Sequence, residues 1–301
     1  MLTGPGVVSC RVLEGFGRLP FARFTSRYTF QRCERDPALT MLGASIDDRP
    51  IGLVVVDFTQ VDETAVVESI FVEPSARRRG VARKLMDRLE LISVESGMKT
   101  LSGSWYHDIP SASSVEGLFS SLGWGASQEQ STVHRGGRRL LEHGNRLVPK
   151  WRPHDGFEIE PWSSLSATDL ARISALQDTD EIMTGLHPDG ESMLSVSDQT
   201  SVVLRHRQEI TGWMIHHVLG PEIVRYSSLW LRRDLIGRGL GIFLAIEAGR
   251  RHLAIVDRIP KLFFMVANGN DGMSRFIARR LQPGLDRSSR VLVAKKKLAA
   301  P

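Results

Sequence analysis

Two short glycine-containing segments carry the residue types that bind phosphate. Residues 77–82 read Arg-Arg-Arg-Gly-Val-Ala, and residues 236–241 read Ile-Gly-Arg-Gly-Leu-Gly. Each segment lies between a predicted strand and a predicted helix, so backbone N–H groups at the helix start should converge there with the positive end of the helix dipole. Glycine lets an anion approach the backbone closely, and the arginines add charge-assisted hydrogen bonds. The pattern predicts a pyrophosphate site.

The elements that position these segments occur twice along the chain. Each segment follows three predicted strands and precedes a helix, a short strand and a closing helix. Gly52 and Gly212 are 160 residues apart, and Gly80 and Gly239 are 159 apart, so one insertion or deletion relates two domain-sized copies. The predicted strands are 39–46, 51–58, 65–72 and 99–105 in the first copy, and 200–207, 210–219, 223–231 and 262–266 in the second.

This repeat predicts an α/β protein of the α+β type with two tandem domains. Each domain should contain a mixed, mostly antiparallel sheet flanked by helices. We expect an N-terminal domain at 1–143, a linker at 144–156 and a C-terminal domain at 157–301, because residues 144–156 combine proline, glycine and basic residues. A chain of 301 residues is long enough to bury two cores of that size.

Composition narrows the classes of protein and ligand. The chain is 42% hydrophobic and 24% charged, which is typical of globular proteins, and its net charge of +5 suits a polyanionic ligand. Cys10 and Cys33 have no metal-ligand spacing and are too few for a disulfide framework, which favours a reduced, cytoplasmic setting. His216 and His217 should point to opposite faces of one strand, so they predict no metal site. The apolar runs are too short for a membrane span, and the N-terminus lacks a signal-peptide pattern.

Residues 77–82 resemble the signature of the GNAT acyltransferase superfamily, which is Arg or Gln, two residues, Gly, one residue, then Gly or Ala. Residues 122–124, Leu-Gly-Trp, look like the Leu-Gly-Phe that ends the last helix in many members. The resemblance covers residues 39–124 well and 200–283 less well, and the tandem layout is similar to that of mycothiol synthase. It implies two GNAT domains and acetyl-CoA, or another acyl-CoA, as co-substrate without a metal.

The resemblance also implies which residues bind the acyl-CoA. In the first copy, the cofactor-binding residues are Ile70, Phe71, Val72, Arg77, Arg78, Arg79, Gly80, Val81 and Ala82. In the second copy, they are Leu229, Leu231, Gly237, Arg238, Gly239, Leu240 and Gly241.

Three positions depart from the family pattern. Phe119 stands where many members have a tyrosine that protonates the leaving thiolate, and Ala112 stands at a frequent asparagine position. Ile236 replaces the leading Arg or Gln of the second motif. We therefore expect the first domain to be catalytic and the second to be partly degenerate.

Glu68 and Tyr106 are the catalytic candidates. An amine acceptor with a pKa of about 10.4 must lose a proton before it attacks a thioester. Members of the family often place a glutamate on the strand before the motif. Strand alternation predicts Glu68 on the same face as Ile70 and Val72. A surface ion pair is the alternative role for Glu68. Tyr106 or His107 could supply the missing acid, and a simple loop is the alternative there.

Three functions fit the sequence. The first is an acetyl-CoA-dependent N-acetyltransferase that modifies an amine of a small molecule, without nucleic-acid or membrane partners. The second is a noncatalytic protein that binds or senses acyl-CoA, which the phenylalanine at 119 favours. The third is an acetyltransferase that acts on a protein lysine or N-terminus. The acceptor, the acyl chain and the oligomeric state have no signal in the sequence.

Overall fold

The predicted strands of the first copy form an antiparallel meander, because runs of aliphatic and β-branched residues fit a sheet that is covered on both faces. The structure, a computed structural model, describes residues 7–59, 61–147, 156–176, 188 and 196–299. The chain divides into a first unit, Met1–Gln130 with Arg290–Pro301, and a second unit, Ser131–Ser289. Elements that lie in the first unit are β1 (Val8–Val12), a 3-10 segment (Gly15–Phe24), α1 (Arg27–Arg35), β2 (Leu39–Ile46), β3 (Arg49–Asp57), β4 (Thr64–Val72), α2 (Val81–Glu95), β5 (Thr100–Tyr106) and α3 (Ala112–Ser121).

The second unit repeats this plan. Its three strands before the second glycine segment also form an antiparallel meander, as predicted. The remaining elements are β6 (Gln128–Gly137), α4 (Arg138–Arg146), β7 (Phe157–Pro161), α5 (Ala167–Leu176), β8 (Val202–His206), β9 (Glu209–Gly220), β10 (Ile223–Leu231), α6 (Leu240–Leu253), β11 (Lys261–Ala267), α7 (Asp271–Phe276), which continues into a π-helical turn (Ile277–Leu281), and β12 (Arg287–Lys297).

Among the residues that the structure describes, each unit has a mixed sheet with one parallel pair of strands, which confirms the predicted fold class. In the first unit the order is β1-β2-β3-β4-β5-β12, and only β4 and β5 run parallel. In the second unit the order is β7-β8-β9-β10-β11-β6, and only β10 and β11 run parallel. The glycine segments therefore follow equivalent strands, β4 and β10.

The final strand of each unit comes from the other copy of the repeat. Residues 291–297 of β12 pair antiparallel with β5, and residues 131–137 of β6 pair antiparallel with β11. This arrangement differs from the predicted division at 143 and 157, in which each domain is one continuous stretch. Residues 144–146 of the predicted linker belong to α4, and residues 148–155 lie outside the described part of the chain.

The sheet of the first unit buries side chains on both faces. On one face, Val54 and Val56 pack with Leu85 and Met86 of α2. On the other, Val55 packs in a second apolar cluster with residues of the 3-10 segment and α1. None of the described helices is long and apolar enough to cross a membrane.

Close packing explains why Gly52 and Gly212 occur at equivalent positions of the repeat. A Cβ atom on Gly52 would lie 3.1 Å from the carbonyl oxygen of Phe71, and one on Gly212 would lie 2.8 Å from that of Trp230. Both contacts are tighter than a side chain normally tolerates, so each middle strand needs glycine where the next strand approaches it.

Candidate active site

Two left-handed glycines begin the helices that follow the motif strands. Gly80 (φ 75°) precedes α2 and Gly239 (φ 79°) precedes α6, and neither helix start has a side-chain cap. A Cβ atom added to either glycine would meet no heavy atom within 4 Å. The first N–H groups of each helix therefore face open space at the positive end of the helix dipole, which suits a pyrophosphate.

The arginines differ between the two helix starts. Arg77 donates from Nε to the carbonyl oxygen of Val72 at 2.9 Å, and its guanidinium lies 5.7 Å from the Phe71 ring centroid. This contact ties the end of β4 to the motif. The second unit has Ile236 at this position, and it is 65% exposed. Arg78 has φ 60° and its counterpart Gly237 has φ 85°, so both units use a left-handed residue here.

The parallel strands separate just before each motif. Pairing of β4 with β5 ends at Val67 and Gly103, whereas β4 stays paired with β3 as far as Val72. In the second unit, pairing of β10 with β11 ends at Tyr226 and Phe264. We call the two openings the first splay and the second splay. Residues 68–72 and 227–231 border them with backbone groups that face away from the meander.

A β-bulge lies at the start of each splay. In the first unit, Val55 pairs with Ser69 and Val56 pairs with Val67, so Glu68 is the extra residue. In the second unit, the register shift between Tyr226 and Ser228 makes Ser227 the extra residue. Glu68 and Ser227 are 159 residues apart, the same spacing as the motif glycines. The two bulges are therefore equivalent features of the repeat.

The bulge corrects the predicted orientation of Glu68. Ile70 and Val72 pack in the core formed with α2. Glu68 instead contacts Arg32 of α1 at 3.4 Å between Oε2 and NH1, and its side chain is 28% exposed. The extra residue interrupts strand alternation, so Glu68 lies on the α1 face of the sheet.

Comparison with known proteins agrees with this geometry. Residues 11–108 match the model of the acetyltransferase (GNAT) family. Among solved structures, the chain is similar to a tandem GNAT protein from the clavulanic acid biosynthesis pathway, with a TM-score of 0.73, 14% identity, and coverage of 97% of this chain and 99% of that one. The chain is a tandem GNAT-fold protein.

Two further solved structures are similar to this chain. A GCN5-related N-acetyltransferase from Sphaerobacter thermophilus has a TM-score of 0.67 and 14% identity, covering 98% of this chain and 97% of that one. A glucosamine N-acetyltransferase region of a fungal multi-domain β-N-acetylglucosaminidase has a TM-score of 0.68 and 13% identity, covering 97% of this chain and 38% of that one. A search of curated protein sequences finds no match.

In this tandem GNAT-fold protein, Glu68 has an arginine neighbour, Arg32, that the sequence did not predict. It pairs with both Glu68 and the buried carboxylate of Asp57, at 3.4 Å in each case. Burial disfavours the charged guanidinium and by itself would lower the pKa of Arg32. The neighbouring groups of Glu68, Tyr28 and Asp57 have the larger, opposite effect, so the pKa is raised. The surface ion pair expected as an alternative for Glu68 is therefore present. Whether Glu68 also acts as a base stays a prediction.

Tyr106 lies on the same face of the GNAT sheet as Glu68. Its neighbour Trp105 packs on the α2 side against Phe119, and strand alternation places half-buried Tyr106 on the opposite, α1 side. Tyr106 is the last residue of β5 rather than part of a loop. The structure thus places both predicted catalytic residues on one face, on the two strands that border the first splay.

His107 and Phe119 have structural contacts. His107 accepts a hydrogen bond at Nδ1 from the backbone N–H of Arg290 at 3.1 Å, so it holds the start of β12 against β5. The Phe119 ring stacks on Trp124 with 4.1 Å between centroids and is 3% exposed. The position at which the family resemblance predicted an acid therefore belongs to the core.

The histidines of β9, which pairs with β10, lie on opposite faces of the sheet, as predicted from alternation. His217 bonds through Nδ1 to Ser227 Oγ at 2.6 Å. His216 stacks on Tyr226 with 3.5 Å between ring centroids, and burial lowers its pKa well below the usual value. Within the described residues, no group of histidine, cysteine and carboxylate side chains could hold a metal ion.

Proposed function

We propose that this protein is an acetyl-CoA-dependent N-acetyltransferase that modifies an amine of a small molecule, and that the first unit is the catalytic one. The observation that carries the proposal is the combination of the open helix start at Gly80 with Glu68 at the mouth of the first splay. Anion binding and proton removal are thereby available in one unit. Another acyl-CoA of similar size would use the same contacts.

The donor-binding residues fit a CoA pyrophosphate. The N–H groups at the start of α2 would hold the phosphates, and Arg78 and Arg79, which are exposed, would add charge-assisted hydrogen bonds. Backbone groups of Ile70, Phe71 and Val72 border the splay and would align the extended arm. The second unit has a similar helix start, formed by Gly237, Arg238, Gly239 and Leu240. Leu229 and Leu231 lie on the strand before it.

Glu68 and Tyr106 would divide the proton transfers. Glu68 removes a proton from the acceptor ammonium, so the amine lone pair can attack the thioester carbonyl carbon. The new C–N bond forms as the C–S bond breaks, and Tyr106 donates a proton to the leaving sulfur. The surplus proton on the new amide nitrogen returns to Tyr106, and Glu68 releases its proton to solvent. Arg32 holds the Glu68 carboxylate in place beside the splay through their ion pair.

The first test measures release of free thiol from acetyl-CoA with a panel of amines and with none. Glu68→Gln should lower kcat by about 10²–10⁴-fold and leave acetyl-CoA affinity nearly unchanged. The loss should shrink at high pH, where the acceptor deprotonates without help. Glu63→Gln is the matched control, because Glu63 forms an exposed ion pair with Lys99 away from the splay. Equal rates for Glu68→Gln and the wild type would remove Glu68 from the mechanism.

A noncatalytic acyl-CoA-binding function is the second candidate, and Phe119 favours it. The phenylalanine ring is stacked in the core and has no hydroxyl with which to protonate a thiolate. This function predicts that acetyl-CoA raises the melting temperature while no amine increases thiol release. Peptide amines in the panel distinguish a protein acceptor from a small molecule.

We also propose a cytoplasmic location and no nucleic-acid partner. Cys10 and Cys33 are free thiols, which suits a reducing compartment. The exposed arginines of the motif are accounted for by the phosphates of an acyl-CoA.

A further inference from the structure

A serine that borders the second splay contacts a histidine of β9, the strand on the other side of β10. Ser227 Oγ and His217 Nδ1 are 2.6 Å apart. His217 is 1% exposed, whereas Ser227 is only half-buried. A serine hydroxyl bonded to an imidazole is the arrangement by which enzymes activate a serine nucleophile.

The location of Ser227 relates it to acyl transfer. Ser227 is the bulge residue of β10, one position after the last parallel pair, Tyr226 with Phe264. It borders the opening that leads to the left-handed glycine start of α6 at Gly239. Glu68 has the same relation to Gly80 in the first unit. The two units therefore place different reactive groups at one equivalent position.

Sequence spacing reinforces this equivalence. His217 follows Asp57 by 160 residues, and Ser227 follows Glu68 by 159. In the first unit, Arg32 bridges Asp57 and Glu68. In the second unit, the histidine and the serine at these positions bond directly. The second unit thus has a serine and a histidine at the positions where the first unit has two carboxylates.

A second serine–histidine pair has a similar contact but lies elsewhere in the fold. Ser288 Oγ lies 2.8 Å from His134 Nδ1, a geometry similar to that of Ser227 and His217. Ser288 lies on β12 and His134 on β6. The strand β6 leads into α4, but its N-cap Gly137 has φ −157° and lacks the left-handed conformation of Gly239. This pair provides an internal comparison for the test below.

We propose that Ser227 accepts the acyl group of an acyl-CoA in the second unit, with His217 as its base. The inference rests on the proposed acyl-CoA binding but not on turnover by the first unit. Ser227 Oγ attacks the thioester carbonyl carbon as its proton moves to His217 Nδ1. The C–O ester bond forms, the C–S bond breaks, and His217 returns the proton to the leaving sulfur. Water or an amine then cleaves the ester and restores the hydroxyl, so the second unit acts through a covalent acyl-serine.

The experiment looks for the acyl-serine directly. The full chain is mixed with acetyl-CoA without amine, quenched in acid within the first turnover, digested and analysed by mass spectrometry. We expect one acetyl group on Ser227 that hydroxylamine removes. Ser227→Ala and Gly239→Glu should abolish it, and Ser288→Ala should leave it unchanged. His217→Gln can still hydrogen-bond Ser227 but cannot take its proton, and should slow labelling by at least about 100-fold.

Two outcomes would overturn the inference. The first is an unlabelled Ser227 together with amine-free thiol release that is the same in the wild type and in Ser227→Ala. The second is labelling that persists in Gly239→Glu, which would indicate nonspecific acylation. If either occurs while amine-dependent thiol release still requires Glu68, the proposed function stands without the inference. Circular dichroism on each variant shows whether it is folded. If Ser227→Ala does not fold, the rate of labelling in His217→Gln still tests the inference.

Discussion

At the scale of single residues, Arg32 is the cation that pairs with Glu68. Its guanidinium is in ion-pair distance of Glu68 and Asp57, and its side chain is 20% exposed. Two carboxylates share one cation here, so the group keeps a net negative charge on the α1 face. That charge suits an acceptor that arrives as an ammonium ion.

Arg32→Met should shift the pH dependence of turnover. A carboxylate that has lost its cationic neighbour takes up a proton more readily, so the acid limb of the kcat/KM profile should move to higher pH. The rate on the alkaline plateau should change less than the rate below it. Arg49→Met is the control, because Arg49 pairs with Glu73 and is 56% exposed at the surface. An acid limb that stays in place would show that Glu68 is not the titrating group.

At the scale of elements, an ion-pair network around Arg205 holds α5 against the sheet of the second unit. Ser166 and Asp169 form a capping box at the helix start, with Ser166 Oγ donating to Asp169 Oδ2 at 2.7 Å. Arg205 of β8 donates to both oxygens of Asp169 and, from Nε, to Glu160 of β7. The hydrogen bonds from Arg205 and Ser166 hold the pKa of Asp169 far below its usual range.

Asp169→Asn should lower the free energy of unfolding of the second unit by about 2 kcal/mol at pH 7. This is less than the about 3–5 kcal/mol for breaking a fully buried pair, because Glu160 still neutralises Arg205. Since folding depresses the pKa of Asp169, its contribution is present above about pH 4 and is lost as pH falls further. The difference in free energy of unfolding between wild type and Asp169→Asn should therefore become smaller at acidic pH.

Urea unfolding at neutral and acidic pH measures this difference. Asp234→Asn is the control, because Asp234 pairs with Arg232 at the surface, with a side chain that is 55% exposed, and such pairs contribute little. A gap between Asp169→Asn and the wild type that is constant down to pH 3 would contradict the linkage.

At the scale of the whole molecule, neither continuous half of the chain contains a complete sheet. The first unit needs residues 291–297 to pair with β5, and the second needs residues 131–137 to pair with β11. An unpaired β5 would present a row of free backbone groups at a sheet edge. Folding of each unit therefore depends on chain far away in sequence.

A fragment of residues 1–143 should be unstable, although it includes the whole first motif. We expect it to aggregate or to lack a cooperative melting transition, because β5 has lost its β12 partner. A synthetic peptide of residues 287–299 added in excess should restore cooperative melting, whereas a scrambled peptide should not. Differential scanning calorimetry provides the readout. A fragment that melts cooperatively without the peptide would contradict the dependence on β12.

The sequence by itself determined the repeat, the meanders and the helices that begin after Gly80 and Gly239. These features depend on local periodicity and on backbone conformations that glycine favours. Only the tertiary structure decided that Glu68 faces α1, because a bulge depends on the register of a neighbouring strand. The same holds for β6 and β12, whose polar stretches Gln128–Gly137 and Arg287–Lys297 have little apolar alternation. Their strand character comes from partners far away in the sequence, as does the contact between His217 and Ser227, and local patterns do not encode such partners.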